Sequence, residues 1–164
     1  MGKLYVRVDD RLIHGQIVTA WAQTLGIQRI IAIDDKLASN PTLKAIMMTG
    51  IPKDLNGQIV TADEAKAMLN DGDDKTTLLI TRQCKNLSSL IDDIKDAIHL
   101  NLGNCSKQEN AVATIPSGAG CTLSLTQEDM DALNKLHEIG IEIFTQRVPT
   151  EKYHGWDEMM SSIK

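Results

Sequence analysis

Val6-Arg7-Val8-Asp9-Asp10-Arg11-Leu12-Ile13-His14-Gly15-Gln16 begins as an apolar strand and ends where a helix starts. Residues 3–8 are rich in β-preferring side chains. From Gln16 onward Ile17, Val18, Trp21, Ala22 and Leu25 recur at helical spacing, and Gly26 supplies the stop. The switch from one period to the other marks a strand–loop–helix unit of an alternating α/β fold. Its loop opens at the carboxyl end of the strand, where ligands of such folds bind. The loop holds two aspartates, an arginine and a histidine next to a glycine. The first amides of a helix have no partner within it, so they suit an anion such as a phosphate. Imidazole is a nucleophile near neutral pH, and a neighbouring arginine offsets charge on a moving phosphoryl group.

The same alternation continues outward. Residues 29–33 form a short apolar run suited to a buried parallel strand, ending in Asp34-Asp35. Asn40-Pro41 reads as a cap and first helical position, with Leu43, Ile46 and Met47 as the apolar face of that helix. A third strand over 58–61 leads into a capping box, Thr61 to Glu64. Residues 76–81 are a buried strand, and 86–98 read as an amphipathic helix carrying Leu87, Leu90, Ile91, Ile94 and Ile98. A strand over 99–103 follows. Segment 104–121 is undecided apart from a short strand at 111–115 and a flexible loop at Pro116-Ser-Gly-Ala-Gly120. Thr126 opens a helix that stops at Gly140, 141–146 is a last strand, and the tail from Tyr153 reads as helical. The expectation is one α/β domain over 1–164: a mainly parallel open β-sheet with helices on both faces. Loops from different strands then gather at one edge, bringing His14, Asp34 and Gly103 together.

Global properties narrow the classes. With 164 residues the chain has the size of one domain. A net charge of −5 argues against nucleic-acid binding. The three cysteines, Cys84, Cys105 and Cys121, have neither disulfide-framework nor zinc spacing. The start lacks a signal-peptide pattern, and no apolar run is long enough to span a bilayer, so the sequence reads as a soluble cytoplasmic protein.

A histidine before a helix is by itself an ordinary surface residue. Gly15, which lets a ligand approach the backbone, and Arg11, which can fork onto phosphate oxygens, change that reading. Asp9 or Asp10 can cap the loop, pair with Arg11 or orient the imidazole. A metal is not implied, because His99, His137 and His154 are scattered and none stands at ligand spacing from His14. Dinucleotide and P-loop fingerprints are missing from the first loop. Cys84 carries no sign of activation, Trp21 reads as core, and Lys85 and Lys107 as solvated.

Residues 7–16 resemble the active-site signature of the IIB component of the mannose-family sugar phosphotransferase system. The resemblance continues in order through Trp21, Asp34-Asp35, Ala38 and Pro41, the Asn101-Leu102-Gly103-Asn104 turn, residues 123–140 and Gln146-Arg-Val-Pro-Thr150. Asn40, Cys105-Ser106 and a longer 108–121 region depart from the family pattern and leave the sugar open.

The resemblance implies a phosphotransferase. A histidine of the IIA component would pass its phosphoryl group to His14, carried on Nδ1. His14 would pass it to a sugar delivered by the membrane components IIC and IID. His14 and Arg11 would be the catalytic residues, with Gly15, Gln16, Asp10 and Arg7 around the phosphate. Asp34, Thr61 and Thr81, at strand ends, are further candidates to touch it. No cofactor is implied, a homo-oligomer is compatible, and the location would be cytoplasmic at the membrane partners. The site should be shallow, since two partners must reach one imidazole. The alternative is a regulatory or binding module that uses His14 phosphorylation as a signal.

Overall fold

A computed structural model describes residues 2–117 and 121–164. Among these residues the central sheet has seven strands. The strands are β1 (Leu4–Asp9), β2 (Arg29–Ile33), β3 (Gln58–Val60), β4 (Thr77–Thr81), β5 (His99–Asn104) and β8 (Glu142–Thr145), all parallel. The two-residue β9 (His154–Gly155) pairs antiparallel with β8. A separate antiparallel hairpin joins β6 (Ala111–Pro116) to β7 (Thr122–Thr126).

The central sheet runs β3-β2-β4-β1-β5-β8-β9, so β1 lies centrally, flanked by β4 and β5. Both faces of the sheet are buried, which explains why β2 and β4 are uninterrupted runs of buried residues. Tyr5, Ile30, Ala32, Leu78 and Ile80 point to one face, where they pack with Val18 and Ala22 of α1 (Gly15–Leu25). Val6, Val8, Ile31, Ile33, Leu79, Leu100 and Leu102 point to the other. There they meet Ala65 of α4 (Ala62–Leu69), Leu133 and Leu136 of α6 (Gln127–Glu138), and Met159 of α7 (Trp156–Ser161). The β6–β7 hairpin seals that second face with Ala113, Ile115, Leu123 and Leu125.

The expected helix starts hold at their caps. Asn40 accepts from the Leu43 amide at the head of α3 (Pro41–Met48), and Thr61 forms a capping box with Glu64. Thr126 does the same with Asp129. Gly26 closes α1 at φ 69°, donating its amide to the Ala22 carbonyl.

Several expectations change. α3 has no fully buried residue: of its expected apolar face Leu43 and Ile46 are exposed, and Met47, with Met48, packs against the core partly buried. A short α2 (Asp35–Ala38) precedes it, capped by Asp34. The helix expected over 86–98 is mostly a 3₁₀ helix, Cys84–Leu90, followed by a single-turn α5 (Ile91–Ile94). Leu87, Leu90 and Ile94 are buried there, but Ile98 is exposed. Burying those side chains decides the segment's path, and the choice between i+3 and i+4 bonding is secondary to it. Strand β7, in which Leu123 and Leu125 alternate with polar residues, precedes α6 where no strand is expected from the sequence. The tail makes the short β9 before turning helical. The flexible loop expected around Gly118–Gly120 lies outside the described residues.

Candidate active site

The loop from Asp9 to Gly15 leaves the carboxyl end of β1 and enters α1. Asp9 is buried at 2% exposure and organises the turn. Its Oδ1 accepts from the Arg11 amide at 3.0 Å and from Arg11 Nε at 3.1 Å. Its Oδ2 accepts from Arg11 Nη2 at 3.1 Å and Arg7 Nη2 at 3.3 Å. The Leu12 amide donates to the Asp9 carbonyl at 2.9 Å, which closes the turn. Leu12 then takes φ 59°, the left-handed region that costs a branched side chain roughly 1–2 kcal/mol. Its side chain is buried among Val18, Ala22 and their neighbours, and that burial contributes about 1.5–3 kcal/mol. The strain is therefore offset, and the turn is held in one geometry.

This geometry delivers His14 to the N-cap position of α1, with extended backbone at φ −121° and ψ 105°. Its carbonyl accepts from the Val18 amide at 2.9 Å, starting the helix. The side chain is exposed, and no described residue hydrogen-bonds its ring. Helices α2, α3, α4 and α6 each have a side-chain oxygen at their first amides; α1 has none. The positive end of α1 thus faces solvent beside a free imidazole. Gly15 and Gln16 follow, and with Thr19, Thr49, Gly50 and Pro52 they line an open groove of ≈ 630 Å³. The groove runs along α1 beside the loop, and His14 is not among the residues that line it.

The other sequence candidates separate into those in the loop and those beneath it. Arg11 is exposed, and its bond to Asp9 raises its pKa. Nε and Nη2 are committed to Asp9, so the fork expected for phosphate is partly occupied, and Nη1 makes no hydrogen bond to the described residues. Arg7 is 3% exposed and lies below the loop, not at its surface. Its guanidinium donates to Asp9 and to the carbonyls of Gln146 at 3.3 Å and Arg147 at 3.1 Å. It also lies 5.7 Å from the ring centre of Trp21, whose Nε1 donates to the same Arg147 carbonyl at 2.9 Å. Burial, only partly countered by Asp9, lowers its pKa. Arg7 is a strut that joins β1, α1 and the exit of β8.

Asp10 turns towards β5. Its carboxylate accepts from Asn104 Nδ2 and from the Ser106 amide at 2.8 Å, so it anchors the loop and offers no donor to a phosphate. Thr61 is spent on its capping box, and Thr81 is fully buried, accepting from Asn86 Nδ2 at 3.0 Å. Asp34 caps α2 through the Leu37 amide and accepts from Arg82 Nε at 2.6 Å. Gly103 lies against Arg7, where a Cβ would overlap the guanidinium.

Sequence reasoning missed Arg82 and Arg147. Arg82 Nη1 donates to the Asp10 carbonyl at 2.6 Å. Arg147 pairs with Glu151 through Nε at 3.0 Å and Nη2 at 2.6 Å, and that bond lowers the Glu151 pKa. Arg82 stands in no recognised motif, Arg147 lies in the Gln146–Thr150 stretch of the resemblance without a role assigned to it, and only the topology brings them to the loop. The remaining histidines are structural. His99 is buried between Tyr5 and Phe144, each ring centre 4.8 Å away, His137 stacks on Trp156 at 4.2 Å, and His154 meets Glu158 at 2.8 Å. Cys84 is buried, and its pKa is raised, first by its contact with Cys105 and then by burial. Among the described residues no helix is long and apolar enough to cross a membrane, and no group of three or more metal-ligating side chains gathers.

With this geometry in view, comparison with known proteins is informative. The model of the PTS system sorbose subfamily IIB component matches residues 4–164. The mannose-specific EIIAB component of Escherichia coli (strain K12) is 24% identical over 160 residues, which cover 96% of this chain and 48% of that protein. The chain thus spans about half the length of that relative. The fructose-specific EIIB component of Bacillus subtilis (strain 168) is 24% identical over 165 residues, covering 99% of this chain and 98% of the other. The sorbose-specific EIIB component of Lacticaseibacillus casei is 27% identical over 151 residues, 88% of this chain and 87% of the other. Among solved structures, the IIBSor domain of the sorbose permease from Klebsiella pneumoniae superposes with a TM-score of 0.82 at 21% identity, covering 99% and 98% of the two chains. The N-acetylgalactosamine-specific IIB component 1 from Escherichia coli gives 0.79 at 20% identity, over 93% and 98%. These structural likenesses establish the fold, and the match of the family model over nearly the whole chain establishes more: this protein belongs to the sorbose subfamily of PTS IIB components, within the mannose/sorbose family.

Proposed function

We propose that the chain is a phosphocarrier that takes a phosphoryl group from a phosphorylated IIA component onto His14 and passes it to the sugar handled by membrane components IIC and IID. The observation that carries this reading is the exposed His14 ring at the uncapped start of α1. In the first step the imidazole lone pair attacks phosphorus. The P–N bond to the donor histidine breaks as the P–N bond to His14 Nδ1 forms, and the donor imidazole leaves with its electron pair. In the second step a sugar hydroxyl oxygen forms the new P–O bond as the P–N bond to His14 breaks; the imidazole leaves with the bonding pair, and the hydroxyl proton ends in net on its freed nitrogen.

Such transfers depend on positioning and on charge stabilisation more than on covalent chemistry supplied by the protein. The amides of Gly15 and Gln16 and Nη1 of Arg11 are the donors for the phosphoryl oxygens. Within the fold a Cβ on Gly15 would make only an ordinary contact with the Gly50 carbonyl at 3.4 Å. Space for an approaching phosphoryl group is then the physical reason for glycine there. In this reading the chain works in the cytoplasm, docked in turn to IIA and to the membrane components.

The test is intact-mass and site analysis after incubation with phosphoenolpyruvate, the general phosphotransferase proteins and a IIA component. One acid-labile, alkali-stable phosphoryl group on His14, lost in His14→Ala, is the expected result. No label from a IIA known to be charged would overturn the reading.

A further inference from the structure

We propose that Arg82 is a positioning residue for His14, holding the loop from the far side through Asp34; this rests on the phosphocarrier reading. The central peptide of the loop, between Asp10 and Arg11, is clamped at both ends. Its N–H, on Arg11, donates to Asp9 Oδ1 at 3.0 Å. Its carbonyl, on Asp10, accepts from Arg82 Nη1 at 2.6 Å. With both ends fixed the peptide plane cannot rotate, and that plane sets the direction in which Arg11 and then His14 leave β1.

Arg82 is itself held. It stands one residue past β4, and its Nε donates to Asp34 Oδ2 at 2.6 Å. The Asp34 side chain is 13% exposed and fixed by its cap on Leu37 at 2.9 Å. The exits of β2, β4 and β1 are thereby tied by one guanidinium using two different nitrogens. A lysine has one nitrogen and no fork, so it cannot reproduce both bonds with the same geometry. On the opposite side Asp10 is anchored to Asn104 and Ser106 of the β5 exit. Arg82 therefore balances the β5 anchor, and its loss lets the loop follow that anchor.

The consequence for transfer is a loss of alignment without loss of the surface that a donor recognises. Misplacing a reacting group by about an ångström costs up to ~100-fold in rate, and one lost clamp of two should cost about tenfold. Arg82→Gln is expected to lower kcat for phosphoryl acceptance by about that factor, with the KM for the phosphorylated donor unchanged. Arg82→Lys should recover part of the loss. Asp34→Asn keeps the helix cap, because asparagine caps as well as aspartate, but removes the charge that holds Arg82. It should slow transfer in the native background and add nothing to Arg82→Gln.

The experiment combines these rates with amide hydrogen exchange of Arg11 and Leu12, measured with no donor present. Faster exchange at both amides in Arg82→Gln, a kcat effect and non-additivity with Asp34→Asn are expected. Unchanged exchange, a loss confined to KM, or multiplying effects of the two substitutions would overturn the proposal. The exchange arm needs no phosphoryl transfer, so an unlabelled wild-type protein would sink the carrier reading while exchange still judged Arg82.

Discussion

Arg11 bonds the carboxylate of Asp9 three times, through its amide at 3.0 Å and through Nε and Nη2 at 3.1 Å each. The same carboxylate neutralises the buried Arg7 beneath. One aspartate thus fixes a turn, orients a surface guanidinium and satisfies a buried cation. Arg11 is consequently held in place with Nη1 unbonded among the described residues, so little side-chain ordering is needed when an anion arrives.

Arg11→Lys separates this orientation from charge. The pair is partly exposed on the arginine side, so its loss should cost less than about 1 kcal/mol of stability. A lysine keeps the charge but cannot hold Asp9 and present a second donor from the same plane. Losing a charge-assisted bond of about 1.5–3 kcal/mol predicts a ten- to hundredfold slower transfer. Urea unfolding alongside single-turnover transfer checks both halves, and an unchanged transfer rate would remove Arg11 from its assigned role.

Gly103→Ala tests the strut below. The new methyl group would overlap the Arg7 guanidinium, which is no loose end. That group is 3% exposed and bonded to Asp9 and to two backbone carbonyls at the β8 exit. Relief requires breaking buried charge-assisted bonds or shifting β5 from β1, so a loss of about 2–4 kcal/mol is expected. Chemical denaturation gives the value. A cost below half a kcal/mol would mean that Arg7 has room to move.

The parts of this site legible in the sequence were those written locally. The β1–loop–α1 unit, the Asn40, Thr61 and Thr126 caps and the Gly26 stop all rest on neighbours within four residues. Roles set by distant partners were not legible. Arg7 reads as a loop-adjacent cation until β8 and Trp21 cover it, and Arg82 reads as an ordinary residue until β4 is placed beside β1. The 86–98 segment misled for a related reason. Its apolar spacing at three and four residues fits both a 3₁₀ and an α path, and packing against the sheet selects between them. The resemblance to the IIB family points to His14, but it does not reveal that Asp9 already occupies two nitrogens of Arg11.

His99 predicts an acid limb in stability. Burial between Tyr5 and Phe144, aided by the nearby Arg7 charge, lowers its pKa to about 4 despite the opposing pull of Glu142. The unfolded chain therefore binds this proton at a higher pH than the folded one. Stability is full above the unfolded value near 6.5 and falls as pH drops from there towards 4, with a slope of up to about 1.4 kcal/mol per pH unit. His99→Phe keeps the ring contacts and removes the titration. Denaturant titrations at pH 7.5 and 5.0 should show a smaller drop in the variant, and an equal drop would assign the acid limb to other groups.

Phosphorylation of His14 should stabilise the fold, because α1, unlike α3, α4 and α6, starts without a side-chain acceptor. A phosphoryl group on the N-cap ring brings acceptor oxygens and negative charge to the free amides of the first turn. Capping and the charge–dipole interaction together are worth about 1 kcal/mol. For a domain of this size that corresponds to a midpoint about 2–4 °C higher in thermal unfolding. The gain in amide protection should be confined to Gly15, Gln16 and Ile17, since deeper amides already have helical partners. Fully labelled protein with unaltered protection at those three would place the phosphoryl group away from the helix start. In that case Arg11, not the α1 amides, would have to carry its charge.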